Sequence, residues 1–221
     1  MKVIAGYVYS TRAGTLFGLM ILALTGCAQM QPHPRATVYD FGPGPVVDAP
    51  ANRMANLPAL VLAEVDTSAA LDSTAVLYRL AYSDAQQLRP YAQARWSMTP
   101  AQLLRQRLRE HLGQRRAVLN AAQGLAISQS AKSMSMHVEL DEFSQLFDSA
   151  EHSTGLVRLR ATVGQANAGA DRLVAQRSFV VQRPAPTQDA AGGVRALTLA
   201  VDAVVAEIAE WLEQVEKASA Q

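Results

Sequence analysis

The sequence predicts an α+β domain in which two amphipathic helices cover an antiparallel sheet, after a signal peptide and a proline-rich tether. Three features of the 221-residue chain support this prediction. Apolar and polar residues alternate over several segments between residues 60 and 181, as in strands with one buried face. Two longer segments repeat apolar residues every three or four positions, which is typical of helices that lie on a sheet. The first 58 residues instead hold one apolar run followed by a cluster of prolines.

The N-terminus has the order of a bacterial lipoprotein signal. Lys2 and Arg12 form a basic start, and an uncharged apolar segment follows them. This segment is about a dozen residues long, whereas a membrane-spanning helix needs roughly 20. It ends in the lipobox sequence Leu24-Thr25-Gly26-Cys27. A secretory signal with an unrelated cysteine is the alternative. We expect residues 1–26 to be removed as a signal peptide, leaving Cys27 as the acylated first residue that attaches the chain to a membrane.

The residue after the cysteine bears on the choice of membrane. In bacterial lipoproteins an aspartate at this position commonly causes retention in the inner membrane, and this chain has Ala28. We therefore expect an outer-membrane anchor with the domain facing the periplasm. Loss of Lys2 and Arg12 from 20 basic residues leaves 18, against 19 acidic residues, a net charge of −1. That charge gives no support to a nucleic-acid partner.

Residues 27–58 have the composition of a tether, because proline removes hydrogen-bond donors and favours extended chain. They contain six of the ten prolines, namely Pro32, Pro34, Pro43, Pro45, Pro50 and Pro58. Thr37–Phe41 is a short β-like piece within the tether that can add an edge strand. We expect one domain over residues 59–217, which packs without a disulfide because Cys27 is the only cysteine.

The domain begins with β-like segments. Leu60–Val65 and Val76–Tyr82 are apolar runs joined by a connection rich in Ser, Thr and Asp. A further β-like piece over Leu88–Trp96 follows the Ser83-Asp84 turn. The last two segments predict a hairpin.

Thr99 opens the first predicted helix. Thr99 is a good N-cap, Pro100 suits the first helical position, and Gln102 completes a capping-box pattern. An apolar stripe of Leu104, Leu108 and Leu112 follows, and Gly113 ends the helix. The opposite face, expected to be solvated, carries Arg105, Arg107, Arg109 and Glu110.

Alternation resumes over Met134–Leu140, Val157–Val163 and Leu173–Val181. Short polar turns join these segments, which predicts an antiparallel meander. The alternation changes phase at Glu142-Phe143, which predicts a bulge or a bend. Apolar residues then recur at helical spacing from Val194 to Val215, predicting a helix of about 25 residues that covers the sheet.

Motifs of known catalytic sites are missing from the sequence. It has no nucleophile elbow and no phosphate-binding loop, and its four histidines lack the spacing of metal ligands. We therefore expect no enzymatic activity, no cofactor and no metal. Glu139 and Asp141 fall on one face of a strand, where a carboxylate pair fits acid–base chemistry or calcium binding. The polar face of an amphipathic strand explains the pair equally well.

Aromatic and arginine side chains cluster on the predicted hairpin, in a chain with only 6% aromatic residues. Such side chains suit protein interfaces and contacts with lipid headgroups, whereas aromatic pairing across the hairpin is the structural alternative. Both readings remain open from the sequence. The candidate contacts with a partner or with lipid are Tyr78, Arg79, Tyr91, Arg95 and Trp96, accompanied by Tyr82 and Arg89.

Short motifs occur in a recognisable order after the lipobox. They are Tyr39 and Phe41, Leu57-Pro58, Leu77-Tyr78-Arg79-Leu80, Tyr91 and Trp96 before the first helix, and Leu173, Ala175, Gln176, Arg177 and Phe179 before the last. In this order the chain resembles the ABC-type transport auxiliary lipoproteins, the family that includes the paraquat-inducible lipoprotein C. The resemblance covers nearly the whole mature chain.

The resemblance implies an α/β domain that is anchored in the outer membrane and faces the periplasm. It further implies an accessory role beside an MCE-domain protein of an ABC-type system, which moves lipids or other hydrophobic molecules between the two membranes. A homo-oligomer is compatible with this role. The alternative is a stand-alone lipid-binding or envelope-assembly lipoprotein.

Overall fold

A computed structural model describes residues 35–44, 57–127, 134–165 and 172–219. The signal peptide, Cys27 and most of the predicted tether lie outside the described residues. One compact unit spans Ala36–Gln221, so residues 36–44 of the predicted tether belong to the folded unit.

The described residues form eight strands and four helices, which confirms the α+β class. The strands are β1 (Thr37–Tyr39), β2 (Leu60–Thr67), β3 (Ala75–Leu80), β4 (Ala85–Trp96), β5 (Val118–Leu119), β6 (Met134–Phe147), β7 (Ser153–Gln165) and β8 (Arg172–Pro184). The helices are α1 (Ala81–Asp84), α2 (Pro100–Gly113), α3 (Ala121–Ile127) and α4 (Ala190–Ser219).

The sheet is built around β6. β7 pairs with β6 in antiparallel orientation along its whole length, and β8 pairs with β7 in the same way, which confirms the predicted meander. β2 and β3 both run parallel to β6, β2 along its first half and β3 along its last three residues. The β3–β4 hairpin is antiparallel, whereas β1 joins β4 and β5 joins β2 in parallel. The sheet is therefore mixed rather than antiparallel throughout.

The register of β6 shifts between Leu140 and Glu142, which confirms the predicted bulge. An extra residue in one strand reverses the inward and outward positions that follow it. Phe143, Gln145 and Phe147 are consequently buried beyond the bulge. The bulge also lies between the part of β6 that pairs with β2 and the part that pairs with β3.

Both predicted helices are present. The capping box of α2 is complete, since the Thr99 side chain accepts from the backbone of Gln102 and the Gln102 side chain accepts from the Thr99 backbone at 3.1 Å. α4 is 30 residues long and packs on β7, β8 and α2. Gly155 on β7 lets α4 approach closely, because a Cβ there would overlap the backbone of Ala196.

α4 begins at a capping aspartate. The Asp189 carboxylate accepts a hydrogen bond from the Gly192 backbone and another from the Thr187 hydroxyl, both at 2.7 Å. These bonds, the Gly192 bond first, lower the pKa of Asp189. Within the described ranges, no helix combines the length and apolar character needed to cross a membrane.

Candidate contact surface

The candidate residues lie on the β3–β4 hairpin and on α1, which connects the two strands. The rings of Tyr78 and Tyr91 lie 4.6 Å apart between their centroids, and Tyr78 also meets the edge of Phe147 at 6.1 Å. Both tyrosines are half-buried. The aromatic pairing that the sequence offered as an alternative to an interface is therefore present between these two residues.

A buried chain of polar side chains continues inward from this pair. The Tyr91 hydroxyl donates to Gln145 Oε1 at 2.8 Å, and Gln145 Nε2 donates to Ser153 Oγ at 2.8 Å. Ser153 in turn donates to the Gln188 side chain just before α4. Gln145 is fully buried. Its side-chain amide packs so closely on Gly193 of α4 that a Cβ at position 193 would overlap it. The chain thus joins the hairpin, the centre of the sheet and the start of α4.

The environment of Tyr91 stabilises the protonated hydroxyl. Burial raises the pKa of Tyr91 strongly, and the nearby Tyr78 and Asp189 raise it further. The folded state then retains a proton that the unfolded chain releases near its ordinary pKa of 10.0. This contribution to stability is complete below about pH 10 and is lost as the pH rises above it.

A Tyr91→Phe variant is expected to lose stability less steeply than the wild type when the pH is raised above about 10. The measurement is the urea midpoint as a function of pH, with Tyr82→Phe as the control because Tyr82 is 53% exposed. Equal alkaline slopes for wild type and Tyr91→Phe would show that Tyr91 titrates normally in the folded state.

Arg79 ties the hairpin to β6 on the other face of the sheet. Its Nη2 lies 2.9 Å from Glu142 Oε2, and its Nη1 donates to the carbonyls of Ala85 and Gln86 at 3.2 and 3.1 Å. The side chains of Arg79 and Glu142 are only 20% and 12% exposed. Arg79 is therefore engaged within the domain, with a minor part of its surface open to a partner.

Trp96 is a core residue, which corrects its prediction as a surface contact. It is 2% exposed, and its ring lies 5.5 Å from that of Phe41 and 5.6 Å from that of Phe143. Its neighbour Arg95 is half-buried and donates to the Tyr91 and Ala94 carbonyls at 2.6 and 2.7 Å. The alternation within β4 hides Trp96 while Arg95 stays at the surface.

Tyr82 is the most exposed aromatic residue of this cluster. Strand β3 ends at Leu80, so Tyr82 lies in α1 at the tip of the hairpin and not on the strand face of Tyr78. Arg89, also half-buried, donates from Nε to the Gln87 side chain at 2.7 Å. Contact with a partner or lipid through Tyr78, Arg79, Tyr91 and Arg95 stays a prediction, and Tyr82 is the side chain best placed to make it.

Arg107 is buried, which corrects its predicted place on the solvated face of the first long helix. It is 4% exposed, its Nη2 donates to the Phe41 and Gly42 carbonyls, and its Nε lies 3.3 Å from Asp202 of α4. The signal was present, because position 107 follows Leu103 by four residues and Leu104 by three, which places it on the apolar face of the helix. Arg107 joins the segment after β1 to both long helices.

A cleft of about 270 Å³ lies between the end of α2 and α4 in the described part of the chain. Its lining is mixed, with the apolar residues Leu57, Leu112, Ala206 and Ala209 beside the polar residues His111, Gln114, Arg115, Arg116, Glu210 and Glu213. Sites for drug-sized ligands are typically about 300–1,000 Å³ and mostly apolar. The α2–α4 cleft is therefore slightly smaller than such a site, and charged side chains form part of its lining.

A second cleft, of about 280 Å³, lies beside Asp66, Glu139 and Asp141. Two of its carboxylates lie beside basic side chains. Asp66 lies 3.3 Å from His137, and Glu139 lies 3.2 Å from Arg160. The described part of the chain contains no group of three or more His, Cys, Asp or Glu residues able to hold a metal ion.

Comparison with known proteins places this fold in a family. The sequence model of the ABC-type transport auxiliary lipoprotein component matches residues 39–209. No curated protein matches the chain significantly. A solved structure from Xanthomonas campestris, of family DUF330, superposes with a TM-score of 0.65 at 19% identity, over 84% of this chain and 99% of its own. A structure of an uncharacterized protein gives 0.58 at 15% identity, over 81% and 99%.

At these identities the likeness to the solved structures shows the fold alone. The family match is stronger evidence of kinship, because it runs from the last residue of β1 through about two thirds of α4. This chain belongs to the ABC-type transport auxiliary lipoprotein family.

Proposed function

We propose that this chain is an outer-membrane-anchored, periplasm-facing accessory component that works beside an MCE-domain protein of an ABC-type system. The system moves lipids or other hydrophobic molecules between the two membranes. The observation that carries the proposal is the family match over residues 39–209, together with the lipobox ending at Cys27 and the Ala28 that follows it.

Docking, rather than carrying cargo or catalysis, is the task that the domain's interior supports. The side chains around Tyr91, Gln145 and Ser153 are engaged in hydrogen bonds with one another. Ser153 also has no histidine or carboxylate among its described hydrogen-bond partners, so nothing there activates it as a nucleophile. Together with the lack of known catalytic motifs in the sequence, this leads us to propose that the chain is not an enzyme.

A stand-alone lipid-binding or envelope-assembly lipoprotein is the alternative function. It requires an apolar cavity that retains lipid, whereas the α2–α4 cleft is slightly smaller than a typical ligand site and is lined in part by charged side chains. Mass spectrometry of the full-length chain purified in detergent separates the two functions. A lipid that survives exchange into a second detergent at one equivalent per chain would favour the alternative.

Substituting Cys27 by serine is expected to abolish membrane anchoring of the mature chain, because serine lacks the thiol that carries the lipid. The measurement is separation of inner and outer membranes on a density gradient, with incorporation of a labelled fatty acid. Wild type is expected in the outer membrane with label. Cys27→Ser is expected to carry no label and to be absent from the outer membrane, and Ala28→Asp is expected in the inner membrane with label. Wild-type chain that sediments with the inner membrane would contradict the proposed location.

A further inference from the structure

Strand β8 forms one edge of the sheet. It is 13 residues long and pairs with β7 from Arg172 to Pro184. Among the described residues, no other strand pairs with β8. An edge strand of this length presents a row of backbone N–H and C=O groups that a further strand can satisfy.

The edge has a single sign of charge. β8 carries Arg172, Arg177 and Arg183 and no acidic residue, and the adjacent strand β7 adds Arg158 and Arg160. Arg160 is paired with Glu139. The other four arginines form no ion pair within the described part of the chain; Arg177 instead lies over the Phe179 ring, 4.8 Å from its centroid. An approaching chain therefore meets several uncompensated guanidinium groups.

Apolar side chains accompany these arginines at the surface. Leu173 and Val180 of β8 are 64% and 55% exposed, and both belong to residue types that strands usually bury. An added strand with alternating acidic and apolar residues would cover them and pair with the arginines.

We propose that β8 receives an extended acidic segment of a partner polypeptide as an additional strand of the sheet. A second copy of this chain fits poorly as the occupant, because β8 against β8 would bring arginine next to arginine. A lipid surface offers negative charge but does not supply the regular row of backbone partners that the edge needs. The proposal does not depend on which transport system the chain serves.

Binding of synthetic peptides to the full-length chain in detergent tests this proposal. The first probe is a fluorescent eight-residue peptide that alternates glutamate and valine, measured by anisotropy. Two matched controls are the same peptide with lysine for glutamate, and the glutamate peptide methylated at alternate backbone nitrogens. The protein variants are Arg172→Glu/Arg177→Glu/Arg183→Glu, the milder triple substitution to glutamine, and Arg109→Glu/Lys217→Glu, which changes exposed charges on the helices.

We expect saturable binding of the glutamate peptide and none of the lysine peptide. The β8 glutamate variant should weaken binding by about tenfold or more, the glutamine variant less, and the helix variant hardly at all. Backbone methylation should also abolish binding, since it removes the donors that an added strand needs. Equal binding of the methylated peptide would overturn the proposal in favour of charge attraction alone. No binding of the glutamate peptide would also overturn it, and a preference of the chain for phosphatidylglycerol-rich over neutral vesicles that the β8 glutamate variant loses would then indicate a lipid contact.

Discussion

A Trp96→Ala chain is expected to lose about 3–5 kcal/mol in its free energy of unfolding. Trp96 is almost completely buried, and its ring contacts those of Phe41 and Phe143. Removing the indole leaves a cavity between β4, β6 and the segment after β1, which the surrounding strands cannot close. Urea unfolding of the purified full-length chain, followed by circular dichroism, measures the loss.

The matched control is Tyr82→Ala in the same hairpin. Tyr82 is 53% exposed, so its removal is expected to change the free energy of unfolding by no more than about 0.5 kcal/mol. A small loss for Trp96→Ala, comparable with that of Tyr82→Ala, would mean that Trp96 is a surface residue, as a role in partner or lipid contact requires. A large loss at Trp96 alone separates the core role from the contact role.

An Arg107→Met chain is expected to lose about 2–3 kcal/mol in its free energy of unfolding. The substitution keeps the length and apolar stem of the side chain but removes the guanidinium that holds the Phe41 and Gly42 carbonyls and faces Asp202. Asp202 is 37% exposed and can regain water, so the loss should stay below that of a fully buried ion pair.

Hydrogen exchange locates the effect of Arg107→Met. The amides of β1 are expected to exchange faster. This short strand pairs with β4, and Arg107 holds the carbonyl of Phe41 just after the strand. Arg109→Met is the control, since Arg109 is exposed on the same helix. Unchanged exchange in β1 would show that Arg107 does not fix β1 and the segment that follows it.

Local sequence patterns predicted the features that depend on interactions between residues close together in the chain. The capping box at Thr99 placed the start of α2, and the change of phase at Glu142-Phe143 placed the bulge in β6. Both features arise within a few residues of chain. Alternation also predicted the meander, because short turns join its three strands.

Parallel pairing could not be predicted in the same way. β2 and β3 pair with β6, which lies more than 60 residues further along the chain. No local motif indicates which of two distant strands will pair. The predicted antiparallel sheet reflected the hairpin and the meander alone.

The buried polar residues were missed for a different reason. Gln145 lies at an inward position of β6, and Arg107 lies at an inward position of α2. Because both side chains are polar, the sequence prediction did not place them in the core. Periodicity placed both of them inward. Their positions in the repeat therefore indicate burial more reliably than their side-chain polarity does. A buried polar group needs hydrogen-bond partners, so such a residue marks a specific contact.

Crosslinking in the living cell tests the proposal that this chain docks to an MCE-domain protein. A photoreactive amino acid at Tyr82, the exposed tip of the hairpin, is compared with one at Gln214, an exposed position of α4. Tyr82 is expected to give a crosslinked product in which mass spectrometry identifies an MCE-domain protein, and Gln214 is expected to give much less of it. Absence of that protein from the products of both positions, in cells that produce it, would contradict the proposed docking.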